Sequence, residues 1–327
     1  MEFLPLLSLF GDLEQLNTVD LNFSQENIHI MNIAIAFIMF GVALGIKPKS
    51  FTQIALHPKP AILGTICQYL LLPALTFCLV MIIQPSTAVG MGMILVAACP
   101  GGNISNLISS IARGNLALSV SLTAITTPMS LIMTPLNFAF WGWLYASQSE
   151  YLVPIRIEPI EMFRTVFFIL GIPVIVGMTV GHYFPKLVRK VEKYVQGTSI
   201  VFFVGFILAA FLGNLNLFLS YIHLIFLIVL IHNGLALFVG YQVPKLFKVS
   251  KNNCRTVSIE TGIQNSGLGL ALIFNPRIFP PELELGGMAF VAAWWGIWHI
   301  VAGLGLAFYW RRRPVVEVGV GVEEEEI

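Results

Sequence analysis

Two stretches of this chain combine residue types that can bind a small ion. Ala97-Ala98-Cys99-Pro100-Gly101-Gly102-Asn103-Ile104-Ser105-Asn106 and Ile259-Glu260-Thr261-Gly262-Ile263-Gln264-Asn265-Ser266-Gly267 each interrupt a hydrophobic run of membrane length. Pro and Gly break a helix there and free backbone amides and carbonyls that hydrocarbon cannot satisfy. Ser, Asn, Gln and one Glu place side-chain oxygens beside them. A hard monovalent cation such as sodium prefers oxygen ligands, and one carboxylate surrounded by neutral oxygens fits that preference. Interrupted helices at corresponding places in two halves of a chain point to a transporter's binding site at mid-membrane depth.

Glu260 is the one carboxylate expected well inside the membrane, since the other acidic residues fall in tails, loops or the edges of spans. Such a group faces a polar cavity, a cation or a proton pathway. Pairing with Arg255 is the plain structural alternative, but five residues of separation puts the two off a common helical face. Ser119 and Thr123 stand four apart and share a face that can point at the first break. Taken alone, each is better explained by a bond to the preceding helical turn than by ligation. Gln68, between Cys67 and Tyr69 in an apolar run, needs a partner, and interhelical bonding is the common answer.

The elements that position these residues follow from composition. Of 327 residues, 57% are hydrophobic and 11% charged, with mean hydropathy +0.83, so the chain is an all-α integral membrane protein that lies in the lipid bilayer. A crossing needs about 20 apolar residues, and nine such spans are expected. They cover roughly 28–46, 61–83, 89–111, 116–144, 160–184, 197–217, 221–243, 254–274 and 285–310. Most Lys and Arg residues then fall on one side, with only Arg156, Arg164 and Arg277 opposite. Cytoplasmic loops retain basic residues, so residues 1–27 are expected outside the cell and the C-terminus in the cytoplasm of a cell (plasma or inner) membrane protein. The breaks lie in spans three and eight, five positions apart, which predicts two inverted repeats of five helices with the first helix missing, a 4+5 arrangement. Residues 315–327, with four consecutive Glu, read as a disordered acidic tail after a transmembrane domain over 28–314. Four cysteines show no metal-ligand spacing and read as packing thiols. The near-neutral net charge gives no sign of nucleic-acid binding, and no protein partner is indicated. Asn22-Phe23-Ser24 matches a glycosylation sequon, a pattern common by chance.

Taken together, these motifs resemble the bile acid:sodium symporter family. The resemblance rests on Gly41-Val42-Ala43-Leu44-Gly45 with Lys47-Pro48, Gln68 before Pro73, the whole of the first interrupted segment, Ala112-Arg113-Gly114-Asn115 with Leu118-Ser119, and Arg255 to Asn265. It implies two sodium ions. One is held by Ser105, Asn106, Ser119, Thr123 and Glu260, the other by Gln68, Glu260, Gln264 and the carbonyls of Thr261 and Ile263. It also implies two crossed broken helices within a core domain (about 61–145 and 221–310), set against a panel domain (about 28–46 and 160–217), with an organic anion such as a bile acid or steroid conjugate carried between them. Nine spans are similar to the animal branch, whereas Asn265-Ser266-Gly267 and Trp298-His299 are similar to bacterial members. In those, the matching His and the following Asn line the substrate cavity, so His299 is a candidate substrate ligand, although Ile300 replaces the Asn. Asn103 and Asn265 are stronger candidates, because each stands at a break where helix N-terminal amides can receive a carboxylate or sulfonate.

Other function classes remain open at this level. A proton-coupled, small-acid (pantoate-like) or metalloid carrier on the same plan would let Glu260 titrate. An intramembrane hydrolase would pair His299 or His232 with a Ser nucleophile, though no G-x-S-x-G or H-E-x-x-H pattern occurs, so no enzyme is expected. A receptor or passive channel would use the breaks as pore lining.

Overall fold

A computed structural model describes residues 11–19, 25–45, 58–102, 104–148, 159–280 and 283–313. All regular elements among them are helical. They are α1 (Gln25–Leu44), α2 (Pro58–Ile83), α3 (Thr87–Ala98), α4 (Ser105–Ile111), α5 (Leu116–Ser147) and α6 (Pro159–Tyr183). After these come α7 (Pro185–Gly213), α8 (Leu215–Leu246), α9 (Lys251–Gly262), α10 (Ser266–Ile273) and α11 (Gly286–Arg311). By length and apolar composition α2, α5, α6, α8 and α11 can each cross a membrane. Ile28–Leu44 and Thr87–Ala98 are shorter apolar stretches. Large apolar side chains such as Trp143, Phe168, Val201 and Ile82 point outward, as a lipid-facing surface requires.

Both interrupted segments are broken where expected: α3 stops at Ala98 and α4 begins at Ser105, while α9 stops at Gly262 and α10 begins at Ser266. The other boundaries lie close to the sequence expectations except in α7. Its helix starts at Pro185, twelve positions before the expected span. Pro185 suits the first helical turn, and the charged run that follows is made of good helix formers that an apolar criterion passes over.

Two helices carry a local widening. In α2, residues Cys67–Leu71 form a π turn in which the Leu72 amide donates to the Cys67 carbonyl. Pro73 has no N–H for the Tyr69 carbonyl, and Asn137 of α5 supplies the missing donor at 3.0 Å. In α6, Phe167–Gly171 repeats the device just before Pro173.

Packing falls into recognisable sets. The α1 helix lies against α6 and α7, α3 against α11 and α5, and α8 against α9 and α11. Small apolar clusters flank the interrupted segments on both sides. Ala61, Cys67, Leu118, Leu122 and Val257 join α2, α5 and α9. Ile108, Ala112, Ile259, Ile263 and Ala307 join α4, α9 and α11. Ahead of α1, Gly11–Leu16 forms a 3₁₀ turn whose Leu13 and Leu16 are fully buried. It docks where the Asn17 carbonyl accepts from the Gly286 amide and the Asn17 side-chain oxygen accepts from Ser86. The sequon at Asn22, the basic residues Lys47 and Lys49, and the acidic tail lie outside the described residues.

The α3–α11 contact depends on close backbone approach. A Cβ on Gly92 would stand 2.8 Å from the Met288 Cα. Gly92→Leu is therefore expected to cost about 1–3 kcal/mol through overpacking. Thermal denaturation in detergent checks this, with Gly234→Ala, which meets nothing within 4 Å, as the control expected to stay near wild type.

Candidate ion and substrate site

The two unwound segments run antiparallel past each other. Gly101 bridges to Gln264, the Gly102 amide donates to the Ile263 carbonyl at 2.7 Å, and the Asn265 amide donates to the Pro100 carbonyl at 2.8 Å. Backbone groups freed by one break are thus satisfied largely by the other, which is why neither segment can be moved alone. A Cβ at Gly101 would lie 3.3 Å from the Glu260 carbonyl, 3.4 Å from Glu260 Oε2 and 3.8 Å from the Ile263 carbonyl, so a side chain there would press on the crossing and shift its neighbours by a few tenths of an ångström. The missing side chain leaves a small space facing three oxygens.

Glu260 is 5% exposed and sits at the end of α9 beside this crossing. Its Oε1 accepts from Ser105 at 2.7 Å and from Ser119, and its Oε2 lies 3.5 Å from the Thr123 hydroxyl. Ser119 Oγ also stands 2.8 Å from Asn106 Oδ1. A serine hydroxyl has one hydrogen, so it can serve either Glu260 or Asn106, and the cluster holds more acceptor oxygens than hydrogens. A buried carboxylate in such company lacks a full counterbalance among the described residues. Thr123 also bonds back to the Ser119 carbonyl at 3.1 Å, so the local alternative and the carboxylate contact coexist.

On the other side of the crossing, Gln68 donates to the Cys99 carbonyl at 3.0 Å and to Gln264 Oε1 at 2.7 Å. Gln264 in turn donates to the Thr261 carbonyl at 2.7 Å. The π turn of α2 thus carries Gln68 onto both breaks. Gln68, Thr261, Ile263 and Gln264 form a second oxygen-rich group beside the crossing.

Arg255 does not compensate Glu260. Its guanidinium donates to the Ala112 carbonyl at 3.1 Å and the Arg313 carbonyl at 2.6 Å, and it lies 5.6 Å from the Trp310 ring centroid. It closes the ends of α4 and α11 instead. No histidine bonds to Glu260 among the described residues: His232 pairs with Thr76 at 2.7 Å and stacks edge-on to Trp295.

The three anion candidates separate. Asn103 lies outside the described residues. Asn265 caps α10, its side-chain oxygen accepting from the Leu268 amide at 3.1 Å. His299 is buried on α11, and its Nδ1 has no partner among the described residues. A cavity of about 460 Å³ opens elsewhere, between α4 and α5 on one side and α1 and α7 on the other. Ile38, Val42, Leu107, Leu116 and Val120 give it an apolar wall, while Asn106, Thr123, Glu192, Lys193, Gln196 and Ser199 give it a polar one. Asn106 and Thr123 connect it directly to the carboxylate cluster. Glu192, Gln196 and Ser199 were not singled out from the sequence, although their i, i+4, i+7 spacing marks one polar face of α7.

The Sodium Bile acid symporter family matches residues 32–221, more than half of the chain. The chain belongs to that family. A sodium-dependent transporter of Bacillus subtilis is 32% identical over 286 residues, which cover 86% of this chain and 83% of the relative. An alignment of that length takes in both interrupted segments. A probable chloroplastic sodium/metabolite cotransporter of Oryza sativa is 30% identical across 81% of this chain, and sodium/bile acid cotransporter 5 of Rattus norvegicus is 29% identical across 76%. The chain spans 64% and 58% of the length of these two, under two thirds. Family membership and the five membrane-length helices together make this family member a multi-pass transmembrane transporter.

Arg255→Ala removes two charge-assisted bonds to carbonyls and is expected to cost about 1.5–3 kcal/mol per the usual worth of such bonds. The loss, measured by thermal denaturation, should be equal in sodium and in potassium, since Arg255 does not touch the oxygen cluster.

Proposed function

We propose that this family member is a sodium-coupled symporter that imports an organic anion by alternating access. The observation that carries the reading is the buried Glu260 carboxylate, set among hydroxyl and amide oxygens at the crossing with no cationic side chain bonded to it among the described residues. Two sodium ions satisfy it. Ser105, Asn106, Ser119, Thr123 and Glu260 hold one; Gln68, Glu260, Gln264 and the carbonyls of Thr261 and Ile263 hold the other. When the ions bind, the hydroxyls turn their lone pairs inward and the amides of Gln68 and Gln264 present oxygen, so the crossing becomes rigid only when loaded.

The moving parts are a core of α2–α5 with α8–α11 and a panel of α1, α6 and α7. Support comes from the packing of α1 on both α6 and α7, and from the cavity along the seam between the two sets. Counting each interrupted pair as one span, the helices make nine crossings in the inverted 4+5 pattern. The basic ends of the helices then face the cytoplasm, and the cavity near Lys193 and Gly45 opens to that side. An apolar wall facing Lys193, two amides and hydroxyls, with Glu192 beside the lysine, suits an amphipathic monoanion whose charge is received by Lys193. Its size falls in the usual range for small-ligand pockets. Asn103, Asn265 and His299 serve the anion on the opposite approach, where the helix amides of the breaks favour a negative group.

Coupling is a difference in affinity: the ions stabilise the arrangement that binds the anion, and the anion in turn tightens the ions. In proteoliposomes, uptake of a labelled organic anion such as taurocholate or pantoate is expected to require an inward sodium gradient and to vanish in potassium or choline. Glu260→Gln should lower sodium-driven uptake at least tenfold while the protein remains folded. Undiminished sodium-driven uptake in that variant would remove the shared-carboxylate reading. Lys193→Ala should weaken the anion's apparent affinity several-fold and leave the sodium dependence of uptake intact.

A further inference from the structure

Asn233 lies inside the apolar run of α8, fully buried, one residue after His232. Its side-chain amide donates to the Gly262 carbonyl at 2.7 Å, the last carbonyl of α9 before the chain unwinds. Only the NH₂ end of the amide can face a carbonyl, so the orientation of this group is set by its partner. Helix ends leave several carbonyls without an intrahelical donor. Here the Thr261 carbonyl takes the Gln264 side chain, the Ile263 carbonyl takes the Gly102 amide, and the Gly262 carbonyl takes Asn233 from outside the crossing.

Ile263 is extended, with φ −104° and ψ 99°, and across an extended residue the flanking carbonyls point in opposite directions. Pinning the Gly262 oxygen toward α8 therefore turns the Ile263 oxygen away from α8, toward Gly101 and Gly102. The geometry points to Asn233 as a positioning residue for the ion held by Gln68, Gln264 and the break carbonyls: it acts through the backbone and touches no ion itself. His232, the preceding residue, fastens α8 to α2. It bonds Thr76 of α2, two turns beyond Gln68. The adjacent pair on α8 thus holds both the helix that delivers Gln68 and the peptide that delivers the Ile263 oxygen.

This inference rests on the sodium reading and is separable from it. Sodium activation of anion uptake is measured in proteoliposomes for wild type, Glu260→Gln, Asn233→Ala and Asn233→Leu, with the lithium-to-sodium rate ratio recorded for each. Both Asn233 variants should raise half-saturating sodium at least fivefold and change the lithium-to-sodium ratio, with maximal rate and anion KM at saturating sodium within twofold of wild type. Unchanged sodium activation in either folded variant, alongside a sodium-driven wild type and an inactive Glu260→Gln, overturns the role of Asn233 and leaves the symport reading standing. Sodium-independent uptake by wild type overturns the symport reading itself. Asn233→Leu preserves bulk, so failure of both variants to fold would mark Asn233 as a general packing residue and also overturn the proposal.

Discussion

One buried carboxylate sets the terms for this fold. Glu260 sits where two helices have come apart, bonded to Ser105, Ser119 and Thr123 rather than to an arginine or a histidine. Taking a charge out of water is expensive, and hydrogen bonds from neutral hydroxyls offset only part of that cost. The rest of the core is arranged to keep those hydroxyls in place. Asn115 caps α5 through its side-chain oxygen while its backbone is tied to Thr256 of α9, so the helix carrying Ser119 and Thr123 is fastened to the helix carrying Glu260.

The unwound segments satisfy one another as a miniature antiparallel pair, and this is what lets irregular backbone persist at the depth of the bilayer. Close approach of that kind favours small residues such as Gly101 and Gly102 at the crossing. It also ties the two halves of the chain together, the link between α3 and α4 being hydrogen-bonded to the link between α9 and α10. On the proposed reading, a binding site at this crossing is sensitive to any shift of one helix pair against the other, which is the property that coupling requires.

Much of this could be read from residue types. Gly, Pro and amide residues inside apolar runs marked both breaks, and a lone carboxylate between them marked the centre. Gln68 stood out because a polar amide in hydrocarbon must find a partner, and the structure shows it on Cys99 and Gln264. Other features depend on contacts between distant parts of the chain and carry no local signature. The Asn233 side chain reaches a carbonyl 29 residues away, and Gln196 of α7 donates to Gly41 of α1 across 155 positions. The polar start of α7 escaped an apolar criterion because its amphipathic turns lie at the end of the helix, where charge can be solvated. The docking of Leu13 and Leu16 was equally hidden, since a short segment with interspersed acidic residues reads as a loop.

The π turn of α2 has a geometric effect that reaches beyond its five residues. In an unbroken α-helix, Gln68 and Thr76 would be rotated apart by roughly 80° about the axis, at 100° per residue. Fitting one extra residue into a turn lags the following segment by a comparable angle and brings the two side chains nearly into phase. Gln68 and Thr76 can therefore face the crossing and α8 together.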